Sequence, residues 1–404
     1  MFSLSSKGFG GDRATGRNVT VLALCQALAM SGSSMVMTMS ALVGQMLADD
    51  KSLATLPIAF QFTAMMAGTV FASLLMGRYG RRVGFTLGQV IGIAGGAVSV
   101  YAIFISDFWL FAFGGALLGL HNAFWQHYRF AAADTAGVEY RARAISYVLA
   151  GGVLAAALGP QLSKWSVDWF LPVMFAGGYA TLIILCVVTM VLLQFVDIPR
   201  PPRREPGSYS GRPLLEIARQ PVFIVAVLTA MCGYGVMTLV MTATPLAMQF
   251  CGFAFSDSAT VIQWHVLAMF APSFFTGSLI RRFGVTNVII AGTLLMTFCM
   301  AVNISGIAFT NFWLGLVLLG VGWNFMFIGG TTLVTEAYRP EEQARVQAMN
   351  DFLVFSTVAI AGFGSGALQA NFGWVAVNLG LAVPMFIVFT SMVWFKAYVR
   401  TAKA

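Results

Sequence analysis

Charge along this chain is confined to the gaps between apolar stretches. Twelve stretches of about 20 residues or more, the length that crosses a bilayer, are separated by short polar segments. All 15 acidic residues fall in those segments or near the stretch ends. The stretches lie at 19–47, 52–76, 84–106, 108–132, 143–164, 169–195, 221–249, 258–280, 284–307, 311–335, 346–370 and 373–398. In hydrocarbon no water satisfies the backbone, so each segment must bond to itself as a helix or join a closed barrel. Runs of this length predict an all-α membrane protein with twelve transmembrane helices. Composition excludes the alternative of a water-soluble domain: 58% of residues are hydrophobic and only 9% charged, where soluble domains carry about 25%.

Twelve crossings place both termini on one side, and the basic residues say which. With the ends cytoplasmic, 21 of the 23 Lys and Arg residues fall on inward segments, and only Lys51 and Lys164 fall outside. Lys and Arg are retained on the cytoplasmic face, so a multi-pass protein of the cytoplasmic (inner) membrane is expected. The net charge of +8 is then a set of topology signals spread over many loops, and nucleic acid is not invoked. Trp109, Trp165, Trp169, Trp313 and Trp374 fall at outer helix ends, as aromatic belts do. The first 18 residues are polar and basic, and the apolar stretch after them is too long for a signal-peptide core. It reads as an uncleaved anchor. Cys25, Cys186, Cys232, Cys251 and Cys299 lack C-x-x-C spacing and make no disulfide framework.

The chain also repeats itself at about 200 residues. Gly77, Arg81, Arg82 and Gly84 recur as Gly277, Arg281, Arg282 and Gly284. Asp134 and Arg143 recur as Glu336 and Arg345, and Phe108-Trp109-Leu110 as Phe312-Trp313-Leu314. Two pseudo-symmetric six-helix bundles are expected, at 1–195 and 221–404, joined by a cytoplasmic linker at 196–220 that holds Pro199, Pro201, Pro202, Pro206 and Pro213. Parallel repeats of this kind build transporters around a central site. Over nearly its full length the chain resembles the major facilitator superfamily. Gly77 to Gly84 is similar to that family's loop between the second and third helices, with Arg81 where the family usually has an aspartate. The two arginine-bearing segments are the expected gating loops. Gly159-Pro160 resembles part of the family's antiporter motif.

No carboxylate falls at mid-membrane, so the buried chemistry is neutral. Met237 and Met241 lie four apart on the seventh helix, and His265 and Met269 four apart on the eighth. Residues at i and i+4 share a helical face. Pro245 and Pro272 interrupt the hydrogen-bond ladder of both helices. Thioether sulfur favours copper(I), and imidazole binds it well. This pair of motifs resembles the signature of the CcoA-like copper importers, a branch of the superfamily. That resemblance implies import of copper for respiratory-oxidase assembly, with Met237, Met241, His265 and Met269 as metal-handling residues. Copper is then the transported substrate, and no resident cofactor is expected.

The 200-residue offset carries Met237 to Met37, within the shared triplet Val-Met-Thr, and His265 to Met65. Met37, Met39 and Met65 are therefore additional candidates, as are the soft thiols of Cys232 and Cys251. Expected partners are copper, the bilayer, and copper chaperones or oxidase assembly factors, around a monomer. Two rivals remain open: a facilitator for a small organic solute or metal chelate, its cavity lined by these methionines, and a non-transporting membrane copper sensor or assembly factor. Enzymatic activity has no support, since no nucleophile-base pair, phosphate loop or catalytic metal motif is present.

Overall fold

The computed structural model describes residues 13–135, 141–198 and 211–401, all helix or connecting turn. Four of the five linker prolines and both chain ends lie outside the described residues. The first half comprises α1 (Arg13–Leu47), α2 (Leu56–Tyr79), α3 (Arg81–Ile105), α4 (Phe108–Trp125), α5 (Tyr128–Thr135), α6 (Arg141–Ser166) and α7 (Ala176–Leu193). A short α8 (Leu214–Ala218) precedes α9 (Pro221–Phe250), α10 (Phe255–Phe270), α11 (Ser273–Phe283), α12 (Val285–Ile304), α13 (Phe309–Ala337), α14 (Gln343–Leu379) and α15 (Ala382–Thr401).

Nine segments among the described residues are long and apolar enough to cross a membrane. The last of these, Arg345–Val399, holds two crossings, because Gly373 adopts φ 76° and divides α14. Only glycine takes that backbone conformation without a Cβ clash. Two further crossings are α6, whose 26 residues extend about 39 Å at 1.5 Å per residue, and the broken pair α10–α11. The sum is the twelve expected. The sixth crossing starts later than its apolar run suggested, at Ala176, because residues 167–172 form turns.

The chain forms two compact units, Met1–Asp49 with Leu56–Arg204, and Asp50–Thr55 with Glu205–Ala404. In the first, glycines let helices meet backbone to backbone: a Cβ at Gly115 would lie 2.6 Å from the Pro57 carbonyl, and one at Gly119 would collide with the Gln61 carbonyl. This is how membrane helices associate when lipid is as apolar as leucine and van der Waals contact must supply the attraction. In the second unit, a Cβ at Gly320 would lie 2.6 Å from the His265 carbonyl, and one at Gly292 2.9 Å from the Gly322 carbonyl, so α10 and α12 both seat closely on α13. The turn Asp50–Thr55 belongs to this unit, where the Thr55 hydroxyl accepts the Gly366 N–H at 2.9 Å.

The break between α10 and α11 has a local cause. Pro272 cannot donate to the Ala268 carbonyl, and Asn324 on α13 braces the residues on either side of the break. Its Nδ2 donates to the Met269 carbonyl and to Ser273 Oγ, both at 2.7 Å, and Thr276 Oγ1 donates to its Oδ1 at 2.6 Å. Pro245, by contrast, sits within an uninterrupted α9. Below the bundle, Arg212 grips Glu342 with Nε at 3.0 Å and Nη2 at 2.8 Å, and its Nη2 also reaches the Ala337 carbonyl at 3.1 Å. The linker's C-terminal end is thereby fastened to the turn between α13 and α14. Those hydrogen bonds hold the Glu342 carboxyl down at about 2.

Candidate functional site

Five aromatic side chains from four helices meet inside the second unit. Trp323 and Phe327, one turn apart on α13, stack with planes 9° apart and centroids separated by 4.8 Å. Tyr234 of α9 meets their edges at 5.4 and 5.6 Å, and Phe355 of α14 at 5.9 Å. Phe270, the last residue of α10, reaches Trp323 at 6.2 Å. Edge-to-face contacts suit rings with a negative face and positive rim. Local sequence arranges the meeting: Gly233, where a Cβ would lie 3.2 Å from the Met326 Cβ, draws α9 onto α13 and sets Tyr234 beside the stack.

The cluster is not a sealed core. Tyr234, Phe270, Phe327 and Phe355 are half-buried, so their rings keep accessible surface. Trp323 is 5% exposed, yet its indole N–H has no hydrogen-bond partner. A buried indole N–H ordinarily finds an acceptor. The group therefore combines ring faces with an unspent donor, and no formal charge: chemistry suited to a flat solute with carbonyl or ring-nitrogen acceptors. Adjoining it, Phe327, Ile328, Thr331, Thr332 and Thr335 line a cavity of about 270 Å³.

The residues singled out for copper are placed as follows. Met237, Met241, His265 and Met269 are all buried in the second unit. The His265 ring is directed to α13, where Nδ1 donates to the Leu316 carbonyl at 2.8 Å, leaving Nε2 without a partner. Its helix packs mainly on α13 and touches α9, which carries Met237 and Met241, over a smaller area. Cys232 and Cys251 are half-buried free thiols. Met37, Met39 and Met65 belong to the first unit, where Met39 packs over Gly178 and the Met65 sulfur accepts the Gln126 amide at 3.1 Å.

The two arginine-bearing turns differ. Arg81 and Arg82 open α3 after Gly80 (φ 94°), and Arg81 forms an ion pair with Asp134 at the end of α5. Gly77 lies two residues from the end of α2, and Gly84 lies in the first turn of α3 against Met76. At the matching turn of the second unit the positive-φ glycine is Gly284 itself (φ 84°), so Arg281 and Arg282 close α11 on the other side of the turn. There Arg281 donates to Ser278 Oγ at 2.9 Å and Arg282 lies over the Phe283 ring. Gly277 is also on α11, with open space around it.

Residues 22–349 match the model of the Major Facilitator Superfamily. This chain belongs to that superfamily. The facilitator is 41% identical to the riboflavin transporter RfnT of Brucella anthropi over 364 residues, covering 90% of this chain and 91% of the relative. It is 28% identical to the uncharacterized MFS-type transporter YddS of Bacillus subtilis, with 94% and 91% of the two chains covered. Among solved structures it superposes on a D-xylose–proton symporter with TM-score 0.74 at 12% identity (93% and 96% covered), and on a POT-family peptide transporter with TM-score 0.66 at 13% (95% and 97% covered). It is thus a multi-pass membrane transporter with the facilitator fold, and not an enzyme.

The comparison overturns the expectation of copper import. A near full-length relative that transports riboflavin points to an organic solute, so copper as cargo, and the oxidase-assembly role tied to it, are withdrawn. With copper withdrawn as cargo, the methionine and histidine spacing is equally that of packing, since methionine is a common filler of helix interiors. His265 meets a membrane histidine's need for a partner by bonding to a helix carbonyl. The candidate pair not singled out in the sequence is Trp323-x-x-x-Phe327, the same i, i+4 spacing carried by aromatic rings.

Proposed function

We propose that this facilitator moves riboflavin, or a solute with the same kind of flat heteroaromatic ring, across the cytoplasmic membrane by alternating access. The observation that carries the reading is the 41% identity to a riboflavin transporter over nine-tenths of both chains. The aromatic group of α9, α10, α13 and α14 supports it chemically. A fused flavin ring offers faces for stacking, and its carbonyl oxygens and ring nitrogens are acceptors for the unpaired Trp323 N–H. Stacking of a base-like ring on an aromatic side chain contributes about 1–3 kcal/mol, enough to select a flat ring while still releasing it.

The absence of formal charge at the cluster fits a neutral cargo. The strong cytoplasmic bias of Lys and Arg favours insertion in the cytoplasmic membrane with both ends inside. The test is uptake in bacterial cells that cannot synthesise riboflavin. Expression of the facilitator is expected to restore growth at low external riboflavin and to raise accumulation of labelled riboflavin. Cells that neither grow nor accumulate label, with the protein verified in the membrane, would contradict the reading.

A further inference from the structure

Below the aromatic group, α13 continues as a row at i, i+4 spacing: Trp323, Phe327, Thr331 and Thr335, with Thr332 beside it. Twelve residues at 1.5 Å each give this row a length of about 18 Å. Its character changes midway, from two stacked rings to hydroxyls. The cavity along the lower part is bounded by Phe327 at one end and by Thr331, Thr332 and Thr335 beyond it, so ring surface and hydroxyl surface are continuous. At about 270 Å³ it falls short of the 300–1,000 Å³ usual for a whole organic ligand, and it suits one portion of a solute.

The hydroxyls are configured to receive donors. Thr332 Oγ1 donates to the Ile328 carbonyl at 2.8 Å, and Thr335 Oγ1 to the Thr332 carbonyl at 2.6 Å. Their protons are committed to the helix, and the oxygen lone pairs remain as acceptors. Thr331 is exposed, and its hydroxyl makes no bond among the described residues, so it can donate and accept. Three hydroxyls in a row, with no charge among the cavity's lining residues, match neither an ionised tail nor an apolar one.

We infer that the Thr331–Thr332–Thr335 cavity is a subsite for a polyhydroxylated tail carried by the ring that the Trp323 group holds. This rests on the proposed function and deepens it: the cargo is a flat heteroaromatic ring bearing a sugar-alcohol chain, and the threonines distinguish that cargo from the bare ring. Riboflavin has such a ribityl chain; lumichrome is a flavin ring without it.

The experiment measures binding of both ligands to the purified full-length protein by flavin fluorescence. The wild type is expected to bind riboflavin more tightly than lumichrome. Combined Thr331→Val, Thr332→Val and Thr335→Val is expected to weaken riboflavin binding on the order of tenfold, the loss of a few net hydrogen bonds, and to leave lumichrome affinity within about twofold, which also reports an intact fold. The corresponding triple Thr→Ser variant, which keeps the hydroxyls, is expected to retain riboflavin binding. Unchanged riboflavin affinity in the valine variant would overturn the subsite alone, as would equal weakening of both ligands or a serine variant as weak as the valine one. A wild type that binds neither ligand would overturn the flavin reading beneath it, and the subsite with it.

Discussion

Trp323 is asked to do two separable things, to stack and to donate. Trp323→Phe keeps a ring at the position and removes the donor, so its cost is one net hydrogen bond, about 0.5–1.5 kcal/mol, or roughly 2- to 12-fold in riboflavin affinity. Equilibrium binding to the purified variant reads this directly, and an affinity equal to wild type would remove the indole N–H from the account. The buried methionines make the opposite prediction. Met237→Leu, Met241→Leu and Met269→Leu are near volume-conserving and cost less than about 1.5 kcal/mol of stability each. Each single variant is expected to keep riboflavin uptake within about twofold in cells, and tenfold loss from any of them would return the thioethers to the transport path. At this scale the sequence leaves the site undecided for a definite reason. M-x-x-x-M and H-x-x-x-M share their period with W-x-x-x-F, and the period reports a shared helical face without saying whether that face is packing or site.

Element-scale features were legible where a residue dictates backbone geometry, and obscure where a partner helix does. Pro272 announced a broken eighth crossing, and the break is there, but Asn324, which braces it from α13 through three hydrogen bonds, is distant in sequence. Pro245 carries the same local signal, and α9 runs through it. The α2–α4 contact gives a packing prediction. Gly119→Ala would drive a Cβ into the Gln61 carbonyl, and overpacking of this kind costs about 1–3 kcal/mol, so a lower unfolding temperature in detergent is expected. A variant as stable as wild type would mean that α2 can shift at no cost.

The Arg212–Glu342 clasp gives a pH prediction. Glu342 is held down at about 2 in the fold, against about 4.3 in an unfolded chain, so the folded state binds fewer protons between those values. Its stabilisation is complete above about pH 4.5 and fades as pH falls toward 2. The stability difference between wild type and Glu342→Gln is therefore expected to be constant from pH 5 to 8 and to shrink below about pH 4.5. A difference that grows on acidification would contradict the sign.

For the molecule as a whole, the fold was largely written in the placement of charge. Twelve apolar runs, a 21-to-2 division of basic residues and a 200-residue repeat specify a facilitator, because hydrocarbon leaves the backbone few choices. The cargo was not written there. Solute choice depends on which faces of α9, α10, α13 and α14 converge, and Tyr234, Phe270, Trp323, Phe327 and Phe355 are spread over 122 positions of sequence. The repeat also blurs at the level of turns: Gly84 and Gly284 correspond in sequence, yet the positive-φ glycine is Gly80 in one unit and Gly284 in the other, which sends the two arginine pairs to opposite sides of their turns. The most direct test of the account is riboflavin entry into liposomes containing only the purified protein, compared between wild type and Phe327→Leu. The account predicts saturable entry, with KM raised about 2- to 12-fold in the variant for the loss of a stacking contact of about 0.5–1.5 kcal/mol; wild-type liposomes that admit riboflavin no faster than empty ones would contradict it.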